Sequence, residues 1–181
     1  MDDLAEFIAW IELETFFSGF LLVYAVVYLI SSKQAFVRNK ILPKLPLAYA
    51  LTGTLYFALQ LKNWYPNYRI DRIMAETQLP YLKLFALLSV FCWLPALRKK
   101  AIYCLLHNMV FFFLLMSTSY LQIFISFSSE FAANNIKIYF VSILLNLALV
   151  IMITGAASLI VYLKKHTSSH PKFNDKTHYL L

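Results

Sequence analysis

From Ala101 to Phe127 the chain carries no Asp, Glu, Lys or Arg, and the same is true from Ile138 to Leu163. Runs of this length constrain a fold more than any motif does. At 1.5 Å per residue they measure about 40 Å as helices, enough to cross a hydrocarbon core of about 30 Å with tilt. Inside lipid the backbone must satisfy its own hydrogen bonds, so uncharged runs like these fold as helices. The alternation of an outer-membrane barrel strand is missing from them.

Three further apolar segments follow the same logic. The expected spans are about 15–31, 46–61, 80–97, 101–127 and 138–163. The expected fold is an all-α integral membrane protein, a bundle of five transmembrane helices in one domain over residues 15–163. Composition agrees: 61% of the 181 residues are hydrophobic and 14% charged, against about a quarter charged in soluble domains.

Orientation follows from the basic residues. If the segment after the first span is cytoplasmic, then Lys33, Arg38, Lys40, Lys44, Arg98, Lys99, Lys100, Lys164, Lys165, Lys172 and Lys176 lie inside. Only Lys62, Arg69, Arg72, Lys83 and Lys137 lie outside. Cytoplasmic loops are enriched in Lys and Arg, so the N-terminus is expected outside and the C-terminus cytoplasmic. Eight of the nine acids also fall outside, Asp175 being the exception. With no organellar targeting signature, the expected location is a bacterial inner membrane. The formal charge of +7 therefore belongs to membrane topology, and nucleic acid is not an expected partner.

The polar edges of the bundle have patterns of their own. In residues 1–14, Leu4, Phe7, Ile8 and Ile11 recur at helical spacing. This predicts an amphipathic helix on the outer face, continuous with the first span or kinked into it. The alternative is a longer first span with Glu12 and Glu14 at its mouth. Residues 62–79 form an outer loop in which Trp64, Tyr65 and Tyr68 suit the headgroup level. Ile70, Ile73, Met74 and Thr77 then trace one face of a short surface helix. With Arg69 and Arg72, the three aromatics are candidates for interfacial docking. Residues 164–181 read as a basic cytoplasmic tail that attracts anionic lipid.

Ionisable groups inside a membrane are the usual pointer to function. The middle of these spans holds no Asp, Glu or Arg, which argues against an ion-coupled transporter unless the first span starts early enough to include Glu12 and Glu14. His107 is the one intramembrane histidine. It follows Cys104 by three positions and shares its face, and Cys92 lies at similar depth across the Arg98–Lys100 turn. These three are weak candidates for a metal site, and the simpler expectation is no metal, no cofactor and a neutral histidine bonded to a neighbouring helix. No paired acids, no Gly-x-Ser-x-Gly and no His-Glu-x-x-His occur, so no catalytic residues are assigned and an enzyme is not expected.

What recurs is small and polar residues at helix-contact spacing. Ala50, Thr54 and Ala58 repeat every four residues, with Thr52 and Gly53 beside them. Asn108, Ser117 and Gln122 mark the fourth span; Ser142, Asn146, Thr154 and Ser158 mark the fifth. Such residues let helices approach and hydrogen-bond across the contact, and they serve equally to line a pore. The leading expectation is a non-catalytic membrane subunit that anchors or assembles with other membrane proteins, in contact with the bilayer and with partners or copies of itself. The alternatives are a homo-oligomeric channel or facilitator for an ion or small neutral solute, and a sensor relaying an outside event to the tail.

Overall fold

A computed structural model describes residues 2–64, 80–98, 101–124 and 129–168, with side chains over 10–63, 81–97, 101–121 and 134–166. All regular structure among these residues is helical: α1 (Asp2–Phe17), α2 (Phe20–Lys33), α3 (Leu45–Trp64), α4 (Pro80–Leu87), α5 (Pro95–Arg98), α6 (Ala101–Phe124) and α7 (Ser129–Ser168). Tighter or wider turns join them at Val37–Ile41, Leu42–Lys44 and Leu88–Trp93. Three helical stretches are long and apolar enough to cross a membrane: Trp10–Lys33, Ala101–Leu121 and Asn134–His166.

These three match the expected first, fourth and fifth spans, with one shift of consequence. The first takes in Glu12 and Glu14, and α1 runs unbroken from Asp2 to Phe17. The boundary expected at residue 14 is no break in the chain. Leu13 and Glu14 are both buried. The break comes later, at Ser18 and Gly19, between α1 and α2.

The expected second span is α3, 20 residues long. Its Thr52, Gly53, Thr54, Gln60, Lys62 and Asn63 dilute its apolar character, and it is not one of the three apolar stretches. The expected third span is an interrupted helix. Four turns' worth of chain begin as α4, tighten to a 3-10 turn over Leu88–Trp93, and open at Leu94 with φ −64° and ψ 131°. Pro95 explains the opening, because the residue before proline is pushed out of the helical region.

Proline also shapes the connection between α2 and α3. Pro43 and Pro46 lack the amides that would bond the Asn39 and Leu42 carbonyls, so a regular α-helix is unavailable there. The backbone widens to a π turn over Val37–Ile41, then tightens to a 3-10 turn over Leu42–Lys44 before α3 starts. Both prolines thus sit at helix starts, where their missing amides are tolerated.

The core lies where α1, α3, α6 and α7 meet. Phe17 is its centre, fully buried, stacked on Phe111 at 4.8 Å between centroids and edge-on to Tyr56 at 5.3 Å and Tyr49 at 5.9 Å. Such pairs add about 0.5–1.5 kcal/mol each beyond the area they bury. In contrast, the far half of α7 leaves the core: Ile151, Leu159, Ile160, Val161 and Tyr162 are all exposed.

Candidate functional site: the helix break at Ser18 and Gly19

A helix broken inside a bundle must find new partners for the backbone groups it frees. Here the neighbours supply them. The Gly19 amide donates to Ser142 Oγ at 2.8 Å. The Phe16 carbonyl accepts from Asn146 Nδ2 at 3.0 Å, and the Phe17 carbonyl accepts from Asn108 Nδ2. Ser18 Oγ turns back to the Glu14 carbonyl at 2.7 Å. Ser142, Asn146 and Asn108 come from different helix turns of α6 and α7, and each of these side chains is buried.

Asn146 is the hub. Its Nδ2 also donates to the Ser142 carbonyl at 2.9 Å, while its Oδ1 accepts from Thr52 Oγ1 of α3 at 3.1 Å. One amide therefore ties α1, α3 and α7 together. The Thr52 hydroxyl lies between Asn146 Oδ1 and its own helix's Ala48 carbonyl, also at 3.1 Å.

Gly19 is set by space. A Cβ there would overlap the backbone of Ser142 and Ile143, and Gly19 φ is an ordinary −82°. The requirement is close approach of two helices, with no backbone strain. Gly53 plays the same role on α3, where a Cβ would overlap Ser89 of the 3-10 turn. Beside it Trp93 Nε1 donates to Thr54 Oγ1 at 2.8 Å, and Thr54 passes its own proton to the Ala50 carbonyl at 2.9 Å.

A second polar knot lies on the same side of Phe17. Tyr49 O–H meets His107 Nδ1 at 2.6 Å, and His107 Nε2 meets the Phe85 carbonyl at 2.7 Å. A carbonyl can only accept, so Nε2 carries a proton, and in the neutral ring Nδ1 accepts from Tyr49. Both ring nitrogens are satisfied, and the imidazole stacks on the Phe85 ring at 4.4 Å. Phe85 lies in the last turn of α4, where helix carbonyls lose their usual donors, so His107 helps to cap that helix end.

Of the three weak metal candidates, the structure brings two together. Cys92 and Cys104 are buried free thiols with Sγ atoms 3.2 Å apart, Cys104 donating. His107 is engaged by Tyr49 and Phe85 instead. Among the described residues no three His, Cys, Asp or Glu side chains gather as a metal-binding group.

The other packing or pore-lining candidates divide cleanly. Asn108, Asn146 and Thr54 lie at helix contacts inside the bundle. Thr154 and Ser158 lie outside it, their hydroxyls donating to carbonyls of their own helix at 2.8–2.9 Å. Ser117 is exposed on α6. The Gln122 and Trp64 side chains, and Tyr65, Tyr68, Arg69, Arg72, the expected surface helix and the end of the tail, lie outside the described residues.

One group was only a conditional exception in the sequence reading. The Glu14 carboxyl is fully buried and, among the described residues, neither of its oxygens has a hydrogen-bond partner. Its neighbour Glu12, by comparison, accepts from Gln60 at 3.3 Å and from Asn63 at 3.2 Å. The candidate membrane-crossing stretch Trp10–Lys33 takes in Glu14, so the exception attached to the missing mid-span carboxylate applies to it.

The fold and this site define an all-helical membrane protein, with a broken first helix clasped by its neighbours. The chain matches no protein-family model, no curated protein and no solved structure.

Proposed function

We propose that this protein is a non-catalytic integral membrane subunit that anchors or assembles with partner proteins in a larger membrane complex. The observation that carries this reading is the way the polar side chains around the helix break turn onto backbone or onto each other. Asn108 Nδ2, Ser142, Asn146 and Thr52 are all so engaged, Asn108 Oδ1 alone of the group lacking a partner among the described residues, so within one chain they serve packing more than passage. The far half of α7 supports the same reading. It extends beyond the core with Ile151, Leu159, Ile160, Val161 and Tyr162 exposed. In this proposal five helices cross a bacterial inner membrane with the N-terminus outside and the C-terminus cytoplasmic, α3 and the interrupted α4–α5 segment completing the count. The skew of basic residues towards one set of loops supports that topology.

The test is mild detergent extraction of the tagged full chain, followed by native mass spectrometry. Stoichiometric foreign subunits are the expected result. A clean homo-oligomer overturns the proposal.

One observation favours a second reading, an ion-conducting or ion-coupled assembly. A buried carboxyl beside a broken membrane helix is costly unless it is used, and Glu14 is such a group. In that case the full chain in liposomes would pass protons or a monovalent cation, and Glu14→Gln would abolish the flux.

A further inference from the structure

The connection from Phe36 to Lys44 stands off from the far half of α7 and leaves a groove of about 440 Å³ between them. Lys40, Ile41 and Lys44 form part of one wall. Ile151, Gly155 and Val161 form the other. The floor is open at Gly155, where a Cβ would find nothing within 4 Å. The volume falls within the roughly 300–1,000 Å³ of small-molecule sites.

The chemistry of the two ends differs. Thr154 and Ser158 also line the groove, but both hydroxyls already donate to carbonyls of α7. They offer no proton to a ligand, so the interior is in effect apolar. Two lysines line the groove and no acid does. An apolar slot lined by two cationic side chains selects an amphiphile with an anionic head.

Position strengthens the argument. The apolar stretch of α2 ends at Lys33, and Arg38, Lys40 and Lys44 follow; the apolar stretch of α7 ends at Lys164 and Lys165. The groove lies where hydrocarbon-like helix gives way to basic residues, which is where lipid phosphates sit. Basic pockets between membrane helices hold anionic headgroups for this reason. A second copy of the chain fits the slot poorly. A helix about 10–12 Å across fills roughly 420–610 Å³ per turn, so the groove takes about one turn, walled on both sides by this chain. An acyl chain is far thinner.

We propose that this groove binds one anionic phospholipid, its phosphate between Lys40 and Lys44 and one acyl chain laid over Gly155. The site stands whether or not the protein assembles with partners.

The test uses the full chain, delipidated in neutral detergent and then offered phosphatidylglycerol or phosphatidylcholine with identical acyl chains. Native mass spectrometry reads the lipid retained. One phosphatidylglycerol per chain is expected, retained at least tenfold better than phosphatidylcholine. The double variant Lys40→Gln/Lys44→Gln should bring retention down to the phosphatidylcholine level. Gly155→Leu should fill the floor and reduce retention of both lipids; its side chain enters open space, and a thermal melt checks that it folds. Equal retention of the two lipids overturns the proposal, as does phosphatidylglycerol retention unchanged by the lysine substitutions. So does a lipid-free dimer that Gly155→Leu dissociates, which would assign the groove to a second copy.

Discussion

Asn146 Nδ2 donates to the carbonyl of Phe16 across 3.0 Å, joining residues 130 positions apart in the chain. The contact places the last membrane helix against the break in the first, and it depends on an amide that also receives the Thr52 hydroxyl.

Replacing Asn146 by Leu should leave the Phe16 carbonyl buried without a donor and Thr52 with one acceptor fewer. An unsatisfied buried polar group costs about 1–3 kcal/mol, so Asn146→Leu should unfold at distinctly lower temperature in detergent. A double-mutant cycle with Thr52→Val measures the shared part. A coupling indistinguishable from zero would mean the two side chains do not meet.

Gly19→Ala and Gly155→Ala form a matched pair. The first drives a methyl into the backbone of Ser142 and Ile143; the second enters open space. Overpacking costs typically about 1–3 kcal/mol, whereas Ala gains roughly 1 kcal/mol over Gly inside a helix. Stability measured by denaturant titration in detergent should therefore fall for Gly19→Ala and hold or rise for Gly155→Ala.

Glu14→Leu should stabilise the fold. A buried carboxyl without hydrogen bonds costs roughly 1–3 kcal/mol relative to an apolar group of similar size. A higher melting temperature would show that Glu14 is kept for something other than stability. A lower one would reveal a partner beyond the described residues.

Cys92 and Cys104 should resist a bulky water-soluble maleimide in the folded protein and react once it is unfolded. Both thiols are nearly inaccessible, at 5% and 1% exposure. Rapid labelling of either in the native state would mean that the 3-10 turn does not stay packed on α6.

Tyr49→Phe should leave the histidine tautomer unchanged. The Phe85 carbonyl alone requires the proton on His107 Nε2, so nitrogen NMR of labelled histidine should report the same tautomer in both proteins. Loss of one hydrogen bond predicts a modest destabilisation of about 1 kcal/mol.

The helical, membrane-crossing character was legible in the sequence, because charge-free runs as long as those after Ala101 and Ile138 leave the backbone no other solution. The contact residues were partly legible too. Asn108, Thr54 and Asn146 stood out as polar groups in apolar company, and all three lie at helix contacts. Hydropathy could not tell them from Thr154 and Ser158, which have the same chemistry but line the groove beside the 36–44 connection and bond only to their own helix. The break itself was missed. Phe-Phe-Ser-Gly-Phe reads as ordinary membrane helix, and Ser18 and Gly19 mark a break only because Ser142 and the two asparagines arrive from distant sequence to receive its backbone. The burial of Glu14 was not legible for a related reason: a local window sees the acids at 12 and 14 as an edge, while burial is decided by what packs around them. The interruption at Leu88–Trp93 was foreshadowed only by Pro95.

The length of α7 has a mechanical consequence. Its charge-free run, Ile138 to Leu163, counts 26 residues, about 39 Å of helix against about 30 Å of hydrocarbon. Holding all of it in the bilayer demands a lean of roughly 40° from the membrane normal. A few ångströms of thinning would then swing the far end sideways, carrying Lys164 and Lys165 along the surface. Because Asn146 and Ser142 clamp the same rod to the break in the first helix, that swing would pivot near Gly19. A protein built this way converts the thickness of its membrane into an angle.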